Sequence, residues 1–230
     1  MGVPLERALS KLGLASRSQA RALIHAGLVR VNGRVITDAH VEVIPERVRI
    51  AIDGEVNTTG ETARQRTRLV IALRKPRGVV TTTRDPEGRR TVFDVLKDGG
   101  VNGRLLAVGR LDLASTGLLL FTNDSKLADR LTDPDGKVER VYAVTVRGRV
   151  EPDVAAALPA ARAEVRKSSR RETHLLVTLT QGKNREIRKM FDAIGHEVSR
   201  LHRVAYGPVT LGDLQPGEWR DVTGSFASES

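Results

Sequence analysis

The chain has 230 residues, with 38 Lys and Arg against 28 Asp and Glu and a formal net charge of +10, enough for one ordinary domain and a smaller companion and suited to a polyanionic partner. It has no cysteine, which excludes disulfides, thiolate metal sites and cysteine nucleophiles. No run of about 18 apolar residues exists to span a membrane, the opening MGVPLERALSKLGLASR lacks a signal-peptide core, and Glu6 stands where a myristoylation signal needs a hydroxyl, so a cytoplasmic, membrane-free protein is expected.

Leu5, Ala8, Leu9 and Leu12 recur at helical spacing, with Gly13 placed to end the helix in a left-handed cap. Ser16 and Gln19 form a capping-box pattern for a second helix with the apolar face Ala20, Leu23 and Ile24, stopped by Gly27. Asn32-Gly33 suits the positive backbone angles of a two-residue hairpin turn between Val31 and Arg34. Over residues 1–36, Arg7, Lys11, Arg17, Arg21, Arg30 and Arg34 face Glu6 alone. Arg17 and Arg21 repel at i, i+4, a cost that an anionic partner would relieve; a merely solvated basic face is the alternative. The stretch ERALSKLGLASRSQARALIHAGLVRVNGRVI resembles the S4 RNA-binding domain. That resemblance implies a module over residues 1–60 that docks on structured RNA and does no chemistry. The polar, glycine-containing stretch that follows places a linker at 61–68.

Beyond the linker, Leu69 to Leu73 reads as a buried strand, and KPRGVVTT as a turn at Pro76 and Gly78 into another strand. Thr91 with Asp94 marks a helix start for TVFDVL, and LLAV leads into VGRLDLASTGLLLFTND, Val108 to Asp124. There Asp112 sits beside Arg110 between glycines, next to an apolar strand, and is the candidate reacting group. Asp124 can cap a helix through Leu127 and Leu131, ended by Pro134. From Lys137 to Val146 the residues alternate, with Val138, Arg140, Tyr142, Val144 and Val146 on one face. Pro152 to Ala157 suits a short helix, and HLLVTLTQG a strand. In NREIRKMFDAIGH, Asn184 can cap, Ile187, Met190, Phe191 and Ile194 make the core stripe, and Gly195 can terminate. Arg185, Arg188 and Lys189 lie on its other sides as a second basic surface. EVSRLHRVAYG reads as a strand, and Gly224 to Ser230 as a disordered tail. Residues 69–223 are thus expected to form an α+β domain built on a mostly antiparallel sheet.

Neither a G-x-x-x-x-G-K-[ST] nor a G-x-G-x-x-G loop is present, and His25, His40, His174, His196 and His202 lack metal-ligand spacing, so no nucleotide cofactor and no metal are assigned. Val108 to Asp124, with KPRGVVTTTRDPEGRRTVFDVL before it and GKNREIRKMFDAIGHEVSRLHRVAYGPVTLGDLQPGEWR after it, resembles the Rsu family of ribosomal RNA pseudouridine synthases. The resemblance implies isomerisation of uridine to pseudouridine: the C1′–N1 bond breaks, the uracil turns, and C5 rejoins C1′. It places Asp112 as nucleophile, Arg188 as its charge partner, Tyr142 against the target uracil and Arg110 in the space that the extruded base leaves. Since the base stays bound and re-attaches, no second carboxylate is needed to activate water. Lys183, Arg185 and Lys189, with Arg17, Arg21 and Arg34 of the first domain, are the expected phosphate contacts. The expected partner is ribosomal RNA or a subunit assembly intermediate, and the expected state a monomer. DPEGRRTVFDVL and GLLLFTND look closer to the large-subunit branch of the family. A non-catalytic RNA-binding assembly factor is the competing reading; an S4-linked methyltransferase is disfavoured by the missing glycine-rich loop.

Overall fold

The computed structural model describes residues 2–12, 14–15, 17–52, 55–58, 68–101, 103, 105–159, 161–183 and 185–226. The chain divides into two compact units, Met1–Thr67 and Arg68–Ser230. The expected caps at Gly13, Ser16 and Asn184 and the linker up to Thr67 lie outside the described residues.

The first unit opens with a two-residue strand β1 (Val3–Pro4), followed by helices α1 (Leu5–Lys11) and α2 (Arg17–His25). Leu5, Ala8 and Leu9 of α1 meet Ala20 and Ile24 of α2 in one fully buried cluster, as their helical spacing requires. Strands β2 (Val29–Val31) and β3 (Arg34–Val35) form the expected hairpin, with Asn32 at φ 50° and Gly33 at φ 85°. Both central residues are therefore left-handed, which is why Asn-Gly stands there. Strand β4 (Glu42–Val43) pairs with β1, and β5 (Ile50–Ile52) and β6 (Glu55–Thr58) complete an antiparallel sheet in the order β3-β2-β5-β6.

The second unit is built on a nine-stranded sheet. Its strands are β7 (Val70–Lys75), β8 (Leu106–Val108), β9 (Thr116–Thr122), β10 (Arg140–Arg147), β11 (Ala161–Ser168), β12 (Glu172–Leu179), β13 (Val198–Tyr206), β14 (Val209–Thr210) and β15 (Trp219–Asp221). The main path runs β11-β12-β10-β13-β9-β7-β15, with β14 on β13 and β8 on β9. Every pairing is antiparallel except β9 with β13, where Gly117 lies opposite Arg203.

Both faces of the sheet centre are buried, which explains the continuous apolar runs of β7 and β9. Ile71, Leu73, Leu119 and Phe121 pack with helices α3 (Val92–Asp98), α5 (Pro152–Ala156) and α6 (Glu186–Ala193). Val70, Ala72, Leu118 and Leu120 face the other way, onto α4 (Ser125–Thr132). The expected caps are made: Thr91 and Asp94 bond reciprocally at the start of α3, and Asp124 Oδ1 accepts from the Lys126 and Leu127 amides.

Three expectations need correction, and one strand was missed. After Gly78 no strand forms; Val80 makes a single bridge to Thr91, because the chain turns away to support the next loop. The tail does not begin at Gly224: Thr223–Phe226 is a 3-10 turn whose Phe226 is fully buried beside Val222 and α4. Ile194 is exposed, since α6 ends at Ala193 and the stripe stops at Phe191. Strand β11 was unexpected; at the sheet edge its Arg, Glu and Lys side chains guard against further pairing, and this hides the apolar alternation.

Candidate active site

Asp112 lies in the loop between β8 and β9, and that loop is clamped by the segment leaving β7. Thr81 Oγ1 donates to the Leu111 carbonyl at 2.8 Å and accepts from the Leu111 amide at 3.3 Å. The Gly78 amide donates to the Leu113 carbonyl at 2.9 Å. Fully buried Lys75 donates through Nζ to the Ser115 carbonyl at 2.8 Å and to that of Pro76 at 3.0 Å. The Ser115 amide closes the turn on the Asp112 carbonyl at 3.0 Å. Asp112 is thus held from both sides, with its side chain 38% exposed.

A cavity of about 160 Å³ opens beside it, lined by Asp112, Arg110, Ser115, Tyr142, Arg203 and Lys183 among others. Its apolar wall comes from Leu111, Leu179, Ile187 and Leu201. That is several times a water's share of liquid volume, about 30 Å³, so a small planar ring has room there. Asp112, Arg110 and Arg185 also line an outer groove formed by Val80 to Arg89, so the carboxylate sits where groove and cavity meet.

The guanidinium within ion-pair distance of Asp112 belongs to Arg185, with Nη1 to Oδ2 at 3.8 Å. This corrects the expected close pair with Arg188, whose Nη1 instead donates to the Val198 carbonyl at 2.8 Å. The reason is backbone geometry: Arg185 precedes α6 in the left-handed region at φ 54° and ψ 31°, which swings its side chain toward the Asp112 loop. Such a residue costs about 1–3 kcal/mol and persists where its surroundings fix it. Arg188 is half-buried and its Nε has no hydrogen-bond partner. Burial and then the neighbouring Arg185 charge lower its pKa, while the Asp112 charge opposes the shift.

Tyr142 is buried at the cavity wall, and Arg110, Lys183 and Arg185 are exposed around it. Lys189 lies on the far side of α6 with Arg188, away from the cavity. In the first unit Arg17 and Arg34 are exposed, but Arg21 is engaged with Glu6, Nε to Oε2 at 2.5 Å and Nη2 to Oε1 at 3.1 Å. That bond holds the Glu6 carboxyl below its usual range and offsets the Arg17–Arg21 repulsion from within the fold, beside any relief that an anionic partner would bring.

Three buried cations were not read from the sequence. Lys75 has its pKa lowered from 10.5 to about 8 by burial, opposed by Asp112. Arg140 donates to the Val138, Thr180 and Leu131 carbonyls and to Tyr206 Oη. Arg203, 2% exposed, donates through Nε to the Leu118 carbonyl at 2.6 Å and lies over the Tyr206 ring at 5.0 Å. Charges at inward strand positions, such as Arg140 in register with Tyr142 and Val144, were the available signal. Among the described residues no group of three or more His, Cys, Asp or Glu side chains is placed to hold a metal ion. Nor is any helix among them long and apolar enough to cross a membrane.

Residues 69–193 match the RNA pseudouridylate synthase family, and residues 3–46 match the S4 domain. The chain is 42% identical to ribosomal large subunit pseudouridine synthase B of Escherichia coli (strain K12), covering 96% of this chain and 80% of that one. An uncharacterized RNA pseudouridine synthase of Aquifex aeolicus (strain VF5) is 35% identical, over 96% of this chain and 91% of its own. A crystal structure of a pseudouridylate synthase superposes with a TM-score of 0.64 at 26% identity, covering 97% of each chain.

Proposed function

The chain belongs to the RNA pseudouridylate synthase family, and we propose that it converts a uridine of large-subunit ribosomal RNA to pseudouridine with Asp112 as nucleophile. The observation that carries this reading is the clamped loop that delivers Asp112 to the mouth of a ring-sized cavity walled by Tyr142.

The target uridine leaves its helix, at a cost of a few kcal/mol in stacking and pairing, and its base enters the cavity. Arg110, exposed at the mouth, takes the vacated space. An Asp112 oxygen attacks C1′ and the C1′–N1 bond breaks, its electrons passing to the uracil. The base turns against Tyr142 and the apolar wall, and C5 attacks C1′ and expels the carboxylate. Loss of the C5 proton and gain of a proton at N1 complete the isomer. Because the loop is fixed before substrate arrives, little ordering cost remains for the attack.

Residues 1–60 act as the S4-like module that docks on structured RNA, and 69–223 as the catalytic domain. Arg17, Arg34, Lys183, Arg185 and Lys189 meet phosphates, and Arg188 supports the Asp112 charge from behind. The protein acts as a cytoplasmic monomer on ribosomal RNA or an assembling subunit. Mapping pseudouridines in ribosomal RNA from cells with and without the gene tests this. One large-subunit position should revert to uridine, and an unchanged map contradicts the reading.

A further inference from the structure

Arg203 and Arg140 are both buried cations beside Tyr206, with ring-centroid distances of 5.0 Å and 4.8 Å, but they are served differently. Arg140 has carbonyl and hydroxyl acceptors for both terminal nitrogens. Arg203 spends Nε on Leu118, has only a 3.5 Å contact from Nη1 to Tyr142 Oη, and leaves Nη2 with no partner. No carboxylate among the described residues lies within 4 Å of it. Ser115, another lining residue of the same cavity, is 1% exposed and its Oγ also has no partner. An unsatisfied buried donor costs about 1–3 kcal/mol, and a buried charge more, so the fold leaves Nη2 of Arg203 at a cost that its Leu118 and Tyr206 contacts do not remove.

The unmet charge points to a transient anion. A phosphate suits the cavity poorly, because the Asp112 carboxylate would repel it and the apolar wall of Leu111, Leu179, Ile187 and Leu201 does not match its charge. A detached uracil suits it well: it is flat, mostly apolar on its faces, and carries the electron pair of the broken C1′–N1 bond over N1, O2 and O4. We propose that Arg203, with Ser115 of the same cavity, stabilises the uracil anion formed when the glycosidic bond breaks, and so governs the departure of the base. This rests on the proposed isomerase reading and adds a residue for its first step. As the electrons move to the base, the guanidinium already stands in a water-poor wall, where a fixed positive charge acts most strongly and needs no reorganisation.

The test measures single-turnover loss of the starting nucleoside in RNA carrying uridine or 5-fluorouridine at the target, using the full-length parent, Arg203→Lys and Arg203→Met. Fluorine makes the base a better leaving anion, so a site that stabilises that anion matters less for it. Arg203→Met is expected to slow uridine cleavage about a hundredfold and 5-fluorouridine cleavage only about tenfold, with Arg203→Lys between and RNA affinity unchanged. Equal deficits on both substrates overturn the proposal while leaving the isomerase reading intact; a parent that forms no pseudouridine overturns both. Should the variants fail to fold, the parent alone decides by calorimetry. It should bind 6-hydroxyuracil, an anion at neutral pH, at least about tenfold more tightly than neutral uracil, and equal affinities overturn the proposal.

Discussion

The Arg185 guanidinium stands 3.8 Å from the Asp112 carboxylate, while Arg188, one turn further along, gives its Nη1 to the Val198 carbonyl. Proximity alone would make Arg185 the more important cation. Its side chain, however, is 54% exposed, and solvent-screened pairs of this kind contribute only about 0–1 kcal/mol. Arg188 is half-buried, and in the proposed role its charge would reach Asp112 through a medium that screens less. Arg185→Ala should therefore lower kcat by less than about fivefold and mainly weaken RNA binding, whereas Arg188→Ala should lower kcat tenfold or more. Steady-state kinetics at two salt concentrations check the order, and the reverse order contradicts it.

Lys75 gives a pH signature. Its folded pKa, about 8, lies below the ordinary 10.5 because burial penalises the charge. Between those values the unfolded chain binds more protons than the folded one, so stability rises with pH across that window; below it the buried charge is carried at full cost. Urea midpoints should increase with pH above about 8 in the parent. They should follow a flatter course in Lys75→Met, whatever its absolute stability. Parallel slopes in the two proteins contradict the assignment.

Gly117 lies opposite Arg203 at the one parallel junction of the sheet, with φ at 102°. A Cβ there would lie 2.2 Å from the Arg203 carbonyl oxygen and 2.6 Å from its amide nitrogen, both backbone atoms that cannot swing aside. Gly117→Ala should cost about 3 kcal/mol or more, or prevent folding. Urea unfolding with a loss under about 1 kcal/mol would show that the junction can yield.

In the first unit, exposed Arg17 and Arg34 are the expected phosphate contacts, and Arg21 is tied to Glu6. Alanine at Arg17 or Arg34 should reduce the slope of log affinity against log salt by about 1 each, with little effect on kcat. Binding titrations over a salt series check this, and an unchanged slope removes the residue from the interface.

Local rules carried far in this chain because they act over a few residues. The Asn32-Gly33 turn, the Thr91–Asp94 box and the Asp124 cap each need only neighbours, and each is made. What escaped depends on distant partners. Lys75 stood in a turn segment with nothing to show that Ser115 would meet it, and Arg203 stood in a strand with nothing to show that Leu118 and Tyr206 would enclose it. Strand β11 hid its alternation under edge charges, and Phe226 read as tail because its pocket is built by α4 and Val222. The site was similarly half legible. The motif pointed to Asp112 and its strand, but only the folded chain set Arg185 nearer than Arg188.

The central claim is that Asp112 attacks the target sugar from a loop held in place by Lys75, Gly78 and Thr81. Asp112→Asn keeps the shape of the side chain and removes its charge, so it tests the chemistry apart from the fold. Incubated with large-subunit ribosomal RNA, the variant should bind as the parent does and form no detectable pseudouridine. Pseudouridine at the parental rate would contradict the account.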